Sequence, residues 1–269
     1  LTEIYDYREQ KVFGSTLTAS AVIVCDKGVT SPCVIYHDVA GKADRRVAKN
    51  TLEERWIFSL KPSKKASSNL VRFGDRFSAS SSIATLCNDA FVIKANAPEL
   101  TQIESKVIRI AVSPKSESTK KDEKIIFPYS FDEQGNLHRY SEEEFTCLFP
   151  AATAHLEQYQ DRLDARDSDK NAKWFEYGRS QAIRHMNQDK LLLSTVITGT
   201  IKVALLDKNM IPYSGIYIIA KDGFNLLDAK RILESNSFFE YAKTVGIQVN
   251  GTSIRISIND INNYMFNQP

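Results

Sequence analysis

The sequence predicts a mixed α+β protein, and three observations carry that expectation. Ala21-Val22-Ile23-Val24-Cys25 is continuously apolar and rich in β-branched residues, as expected of a strand buried in a larger sheet. After Pro150, placed where a helix can begin, Ala152, His155, Leu156, Tyr159 and Leu163 recur at helical spacing. Beyond residue 190 the chain turns strongly β, broken by two short helical stretches.

Residues 1–27 read as a strand, a turn and a second strand, with Val12-Phe13 leading into Leu17 to Cys25 and Asp26-Lys27-Gly28 ending the run. Val34-Ile35-Tyr36 starts another strand, and the polar Lys42 to Glu54 reads as an exposed helix and loop. Trp56 to Leu60 is a compact apolar strand, followed by a linker over Pro62 to Ser68. The domain boundary is therefore placed there, dividing the chain into 1–62 and 63–269. Phe91 to Ile93, Val107 to Val112 and Ile125 to Tyr129 are strand candidates, and Ser113 to Lys124 is a charged, solvated loop. Gln134-Gly135-Asn136 is a turn, and Glu142-Glu143-Glu144 is a helix start or an exposed turn. Arg162 and Arg166 stand four apart, on one face of the helix that runs on from Pro150. Strands follow at Leu191 to Leu193, Val196-Ile197, Ile201 to Leu206 and Ile216 to Ala220, then helices at Leu226 to Leu233 and Phe238 to Ala242, the second stopped by Gly246. The alternating Ile254 to Ile258 is a late strand.

Composition excludes several classes. The 269 residues are 42% hydrophobic and 25% charged, typical of a globular protein able to bury a core without staples. A net charge of +2 and a pI near 8.3 confine any nucleic-acid surface to a local patch. Cys25, Cys33, Cys87 and Cys147 form no Cys-x-x-Cys pair and read as reduced thiols of a cytoplasmic protein. No apolar run approaches the ~18 residues of a membrane span. The chain lacks both an initiator Met and a signal peptide and is expected to begin inside a longer protein. It contains no Gly-x-Gly pair and no Gly-x-Ser-x-Gly elbow, and His37, His138, His155 and His185 lack metal-ligand spacing. With no metal site and no visible catalytic machinery, a binding or recognition module is favoured over an enzyme.

One stretch concentrates recognition chemistry: Trp174-Phe175-Glu176-Tyr177-Gly178-Arg179-Ser180-Gln181. Aromatics offer stacking faces, Gly permits close approach, and Arg and Gln can each make paired hydrogen bonds to guanine or phosphate and to adenine. A second reading is equally concrete: the aromatics sit in the core and Arg179 pairs with Glu176 or Asp189.

Taken in order, these pieces resemble the C-terminal half of gamma-class adenine-specific DNA methyltransferases, the TaqI-like and Eco57I-like group. Val12-Phe13 followed by Ser20 to Val24 looks like the motif that closes the methyltransferase sheet, and Trp56 like the tryptophan that marks entry to the specificity region. Ile83 to Ile93 resembles the family's Gly-x-x-Thr-Gly-x-(Asn/Asp)-x-Phe segment, although Leu86 stands where a glycine follows the threonine. Ile126 to Tyr129 resembles its Pro-Tyr strand, Leu156 to Arg166 its helix, and Trp174 to Gln181 the aromatic-Gly-Arg stretch after it.

The resemblance implies a remnant of a Rossmann-like catalytic sheet over 1–62 and a mixed α/β target-recognition domain over 63–269. No Pro-Pro pair is present, so the family's Asn/Asp-Pro-Pro-aromatic motif is absent, and with it the S-adenosylmethionine loop. The implied parent is an S-adenosylmethionine-dependent enzyme of a restriction-modification system. This portion is expected to be inactive alone, to bind no cofactor, and to partner double-stranded DNA and an N-terminal catalytic domain. Phe13 matches the family's base-stacking aromatic, and a core Phe at a strand end is the equal alternative. The DNA contacts implied are Trp174, Tyr177, Gly178, Arg179, Gln181 and Lys190, with Lys64, Lys65, Arg72 and Arg76 on phosphates. Asn88 reads as a turn former or a base contact. Two alternatives remain: a fused restriction-methylation enzyme, and a stand-alone specificity subunit.

Overall fold

The computed structural model describes residues 1–8, 10, 12–13, 20–52, 69–119, 122–249 and 253–267. The architecture is α+β, with small, largely antiparallel sheets and short helices. Tertiary contacts divide the chain into two units: Leu1–Phe73 with Thr195–Ile201 and Ile232–Pro269, and Gly74–Ser194 with Lys202–Arg231. The strand expected at Trp56 to Leu60, the linker and boundary near 62, and Lys64 and Lys65 lie outside the described residues.

The first unit opens with a four-stranded sheet. β1 (Glu3–Arg8), β2 (Ser20–Val24), β3 (Cys33–Asp38) and β4 (Ala43–Ala48) lie in the order β2-β1-β3-β4. β1 runs parallel to β3, with Glu3 opposite Ile35, and the other pairings are antiparallel. Ile4, Val34 and Tyr36 form its core, and the Tyr36 hydroxyl donates to Asp6 at 2.6 Å.

Two expectations fail here. β2 is an edge strand rather than a buried one: Val22 and Ile23, which face opposite sides of the sheet, are 51% and 65% exposed. The helix and loop expected after Lys42 is instead the strand β4, and only Lys49–Thr51 is helical, as a 3-10 turn. Pairing with β3 supplies the hydrogen bonds, and the charges of Asp44, Arg45 and Arg46 suit an edge.

The same unit contains the helix Asn236–Val245, capped by the Ser235 hydroxyl, with Phe238, Tyr241 and Tyr264 packed ring against ring. Gly246 ends this helix with an extended backbone (φ −68°). Glycine is required there by crowding, since a Cβ would sit 2.0 Å from Ile254 Cγ2. The late strand covers only Ile254–Arg255, because Ser257 caps a new helix, Ile258–Asn262.

The second unit is built on two four-stranded sheets, beside a hairpin of Tyr129–Phe131 and Leu137–Arg139. Val203–Leu206, Lys190–Leu193, Ile216–Ala220 and Phe77–Ser81 pair antiparallel in that order. In the other, Met210–Pro212 runs parallel to Ile108–Val112, which pairs with Glu123–Ile126 and through it with Val92–Lys94. Its main core gathers Phe91, Phe127, Tyr129, Phe145, Phe175 and Tyr177, among others.

Ser141 and Glu144 form a capping box that starts the helix Glu142–Leu148. Glu104 accepts from the first amides of the next helix, Pro150–Glu157, at 2.8 and 2.9 Å, placing a carboxylate where the helix dipole favours it. The long helix expected from Pro150 to Arg166 is broken: a second helix covers only Gln160–Asp164. Ser113 to Lys124 is likewise not one loop, since Pro114–Thr119 is helical and Ser113 and Ser116 are buried and bonded to each other.

Candidate nucleic-acid interface

The stretch from Trp174 to Gln181 lies in the second unit and divides between core and surface. Phe175, Glu176, Tyr177 and Gly178 are buried, Trp174, Arg179 and Ser180 are half-buried, and Gln181 is exposed. Phe175 stacks on Phe145 at 4.3 Å between centroids. Glu176, a carboxylate in the core, is held by the Arg139 guanidinium (Nε to Oε1 at 2.8 Å) and by the Lys173 amide at 2.9 Å.

Arg166 binds this segment from behind. Its guanidinium donates to the backbone oxygens of Leu163, Thr85, Glu176 and Trp174 at 2.7–3.0 Å and lies over the Phe91 ring. Burial among carbonyls pushes its pKa down from the usual value. Arg162 is exposed and pairs with Asp89 at 2.8 Å, and Arg166 lies past the end of the short helix Gln160–Asp164 that carries Arg162.

At the surface end, Arg179 Nη2 lies 2.9 Å from Asp167 and Nη1 lies 3.5 Å from Asp169. Asp169 also accepts from the amide and hydroxyl of Ser180, and those bonds, with Arg179 behind them, hold its carboxyl below the usual range. The Arg179 amide donates to Ala84 O and that of Gly178 to Thr85 O, joining the stretch to the turn at Leu86. Leu86 takes the left-handed backbone (φ 57°) that glycine adopts freely, at a cost of about 1–2 kcal/mol. Its side chain covers Gly178, where a Cβ would lie 2.5 Å from Leu86 Cδ1. Asn88 accepts from the Thr85 hydroxyl at 2.6 Å, a turn-forming role.

Three of the expected contact residues are buried, and Gly178 is one, covered by the Leu86 side chain. Tyr177 is fully buried, and its hydroxyl donates to Ile126 O at 2.7 Å. Lys190 is also fully buried, and its amine donates to the carbonyls of Asp207 and Met210 at 2.9 and 3.1 Å. A side chain consumed by the core cannot reach a base or a phosphate. Trp174 keeps one exposed side, with its indole N–H on Glu142. Arg76 lies over the Phe224 ring in the second unit, whereas the exposed Arg72 and Phe13 belong to the first. Chain order did not single out Leu86, Asp167 or Asp169 for this surface. The signal for Leu86 was its place where the resembled family has a glycine.

Burial lowers the Lys190 pKa from 10.5 to about 8, which gives stability a pH dependence of definite sign. Between about pH 8 and 10.5 the unfolded chain holds a proton that the folded chain has released, so stability rises with pH. The expected slope from this group in denaturant unfolding approaches ~1.4 kcal/mol per pH unit. Lys190→Met should flatten it, and an unchanged slope in that variant would assign the rise to another group.

No protein-family model and no curated protein matches the sequence. Among solved structures, the chain is similar to the Type IIL restriction-modification enzyme MmeI in complex with DNA, with a TM-score of 0.57 and 12% identity. The match covers 97% of this chain and 34% of that one, so this chain spans about a third of the enzyme's length. At this identity the likeness is one of fold.

Proposed function

We propose that this chain is the DNA target-recognition portion of a restriction-modification enzyme, and that the parent is an adenine-specific methyltransferase using S-adenosylmethionine. The observation that carries the reading is the fold likeness to MmeI over 97% of this chain, in a structure of that enzyme with DNA. The ordered motifs from Val12-Phe13 to the Trp174 stretch support it independently. The finer assignment to adenine rests on those motifs. In this reading the cofactor is bound by the catalytic domain, and the exposed apolar edge of β2 faces that domain. Among the described residues no helix is long and apolar enough to cross a membrane.

Arg179 is the residue we assign to base reading, with Gln181 beside it. Two carboxylates fix the orientation of its guanidinium, which has five N–H donors and can use the remainder on a guanine edge. Arg179→Ala is expected to cost about 1–3 kcal/mol in binding to the preferred duplex and to relax selection at one base pair. An unchanged sequence preference with a shallower salt dependence would reassign Arg179 to a phosphate.

A further inference from the structure

Leu86 combines two properties that packing alone does not account for. Its backbone is in the left-handed region, with φ 57°, and its side chain is 45% exposed. A turn needing only that backbone is best served by glycine, and a leucine serving only the core would be buried. Strained backbone persists where the surroundings enforce it, and here they do. Thr85 O accepts from Arg166 Nη1 at 2.7 Å and from the Gly178 amide at 3.3 Å, while the Cys87 amide donates to Thr85 Oγ1 at 3.1 Å. One side of the leucine rests on Gly178, whose missing Cβ makes room for it.

Two arginines join the segment that carries this turn. Arg179 is joined by its backbone bridge to Ala84, with its guanidinium on Asp167 and Asp169, and the exposed Arg162 by its ion pair with Asp89. An apolar tip on a segment bonded to arginines, side chains that can bind phosphate or a base edge, matches what duplex DNA presents. In the major groove the apolar group a base pair offers is the thymine 5-methyl.

We infer that Leu86 makes the apolar base contact of this surface, seating its exposed methyl groups against the 5-methyl group of a thymine in the major groove. The inference rests on the recognition reading and specifies one of its contacts. Contact at the groove surface is favoured over insertion between base pairs, because the side chain is about half covered, resting on Gly178, and a wedge must protrude freely.

The test uses the whole protein carrying this chain and its preferred duplex, selected from random sequence. Each thymine is replaced in turn by deoxyuridine, which removes the methyl group and leaves the hydrogen-bonding edges intact. Wild-type affinity should fall about fourfold at one position, the transfer value of one methyl group. Leu86→Ala should bind the thymine duplex correspondingly more weakly and be indifferent to deoxyuridine there. Leu86→Gly, which also relieves the backbone, should show the same indifference with a melting temperature no lower than that of Leu86→Ala. The inference is overturned, with recognition intact, if no replacement weakens wild-type binding or if Leu86→Ala keeps the wild-type response. Base unstacking that depends on Leu86 but not on the methyl group would overturn it in favour of insertion. If the wild-type protein selects no sequence, the recognition reading itself fails, and this contact with it.

Discussion

Arg166→Ala is expected to lower unfolding stability by about 3–5 kcal/mol, although Arg166 is not assigned a contact with DNA. The guanidinium satisfies carbonyl oxygens from four residues, joining the Trp174–Glu176 segment to Thr85, which is far from it in sequence. Alanine removes the side-chain donor from all four and leaves Thr85 O with only the Gly178 amide and Leu163 O with only the residue-166 amide. Arg166→Lys should recover little, because an ammonium cannot span the four oxygens that a planar fork reaches. Urea unfolding of the three proteins measures this. A loss below about 1 kcal/mol in the alanine variant would mean that water replaces the guanidinium and that the turn at Leu86 is held by other groups.

Arg139→Ala should be comparably damaging, at about 3–5 kcal/mol, through the carboxylate it abandons. The Glu176 side chain is 1% exposed and keeps only the Lys173 amide once the guanidinium is gone. Removing both charges, as Arg139→Met with Glu176→Leu, should recover much of the loss, since a buried ion pair adds little over apolar residues of similar volume. A double variant no more stable than Arg139→Ala would show that the pair contributes specific geometry, through Asn171 O and the loop it closes.

These effects show which parts of the site were legible in the chain. Where local pattern and tertiary role agree, the sequence reading was accurate. The strands around Ile35, Ile110, Leu192 and Ile218 and the helices Leu226–Leu233 and Asn236–Val245 stand where apolar pattern, with Gly246 ending the second helix, put them. Strand β4 was illegible because Asp44-Arg45-Arg46 has no strand pattern of its own and is extended only by pairing with β3. The exposure of β2 was illegible for the opposite reason: an apolar run reports a preference for burial, not the strand's place in its sheet, and β2 lies at the edge.

In the Trp174 stretch the core reading holds for the aromatics but not for the ion pair it expected. The aromatics Phe175 and Tyr177 are core, as the ordinary alternative had it, yet Glu176 pairs with Arg139 and leaves Arg179 at the surface with Asp167 and Asp169. Which acid takes which arginine is decided by separations of 10 to 37 residues, and no local pattern encodes it. Lys190 misled because a lysine beginning a strand normally lies at its exposed end, whereas here two carbonyls draw its amine inward.

The account's central claim is that the surface carrying Arg179 reads duplex DNA. Selection of random-sequence duplexes by the whole protein that carries this chain, followed by sequencing of the bound pool, tests it most directly. The account predicts one defined sequence, with Arg179→Ala relaxing a single position of it. A bound pool with no common element, or one that Arg179→Ala leaves unchanged at every position, would contradict it.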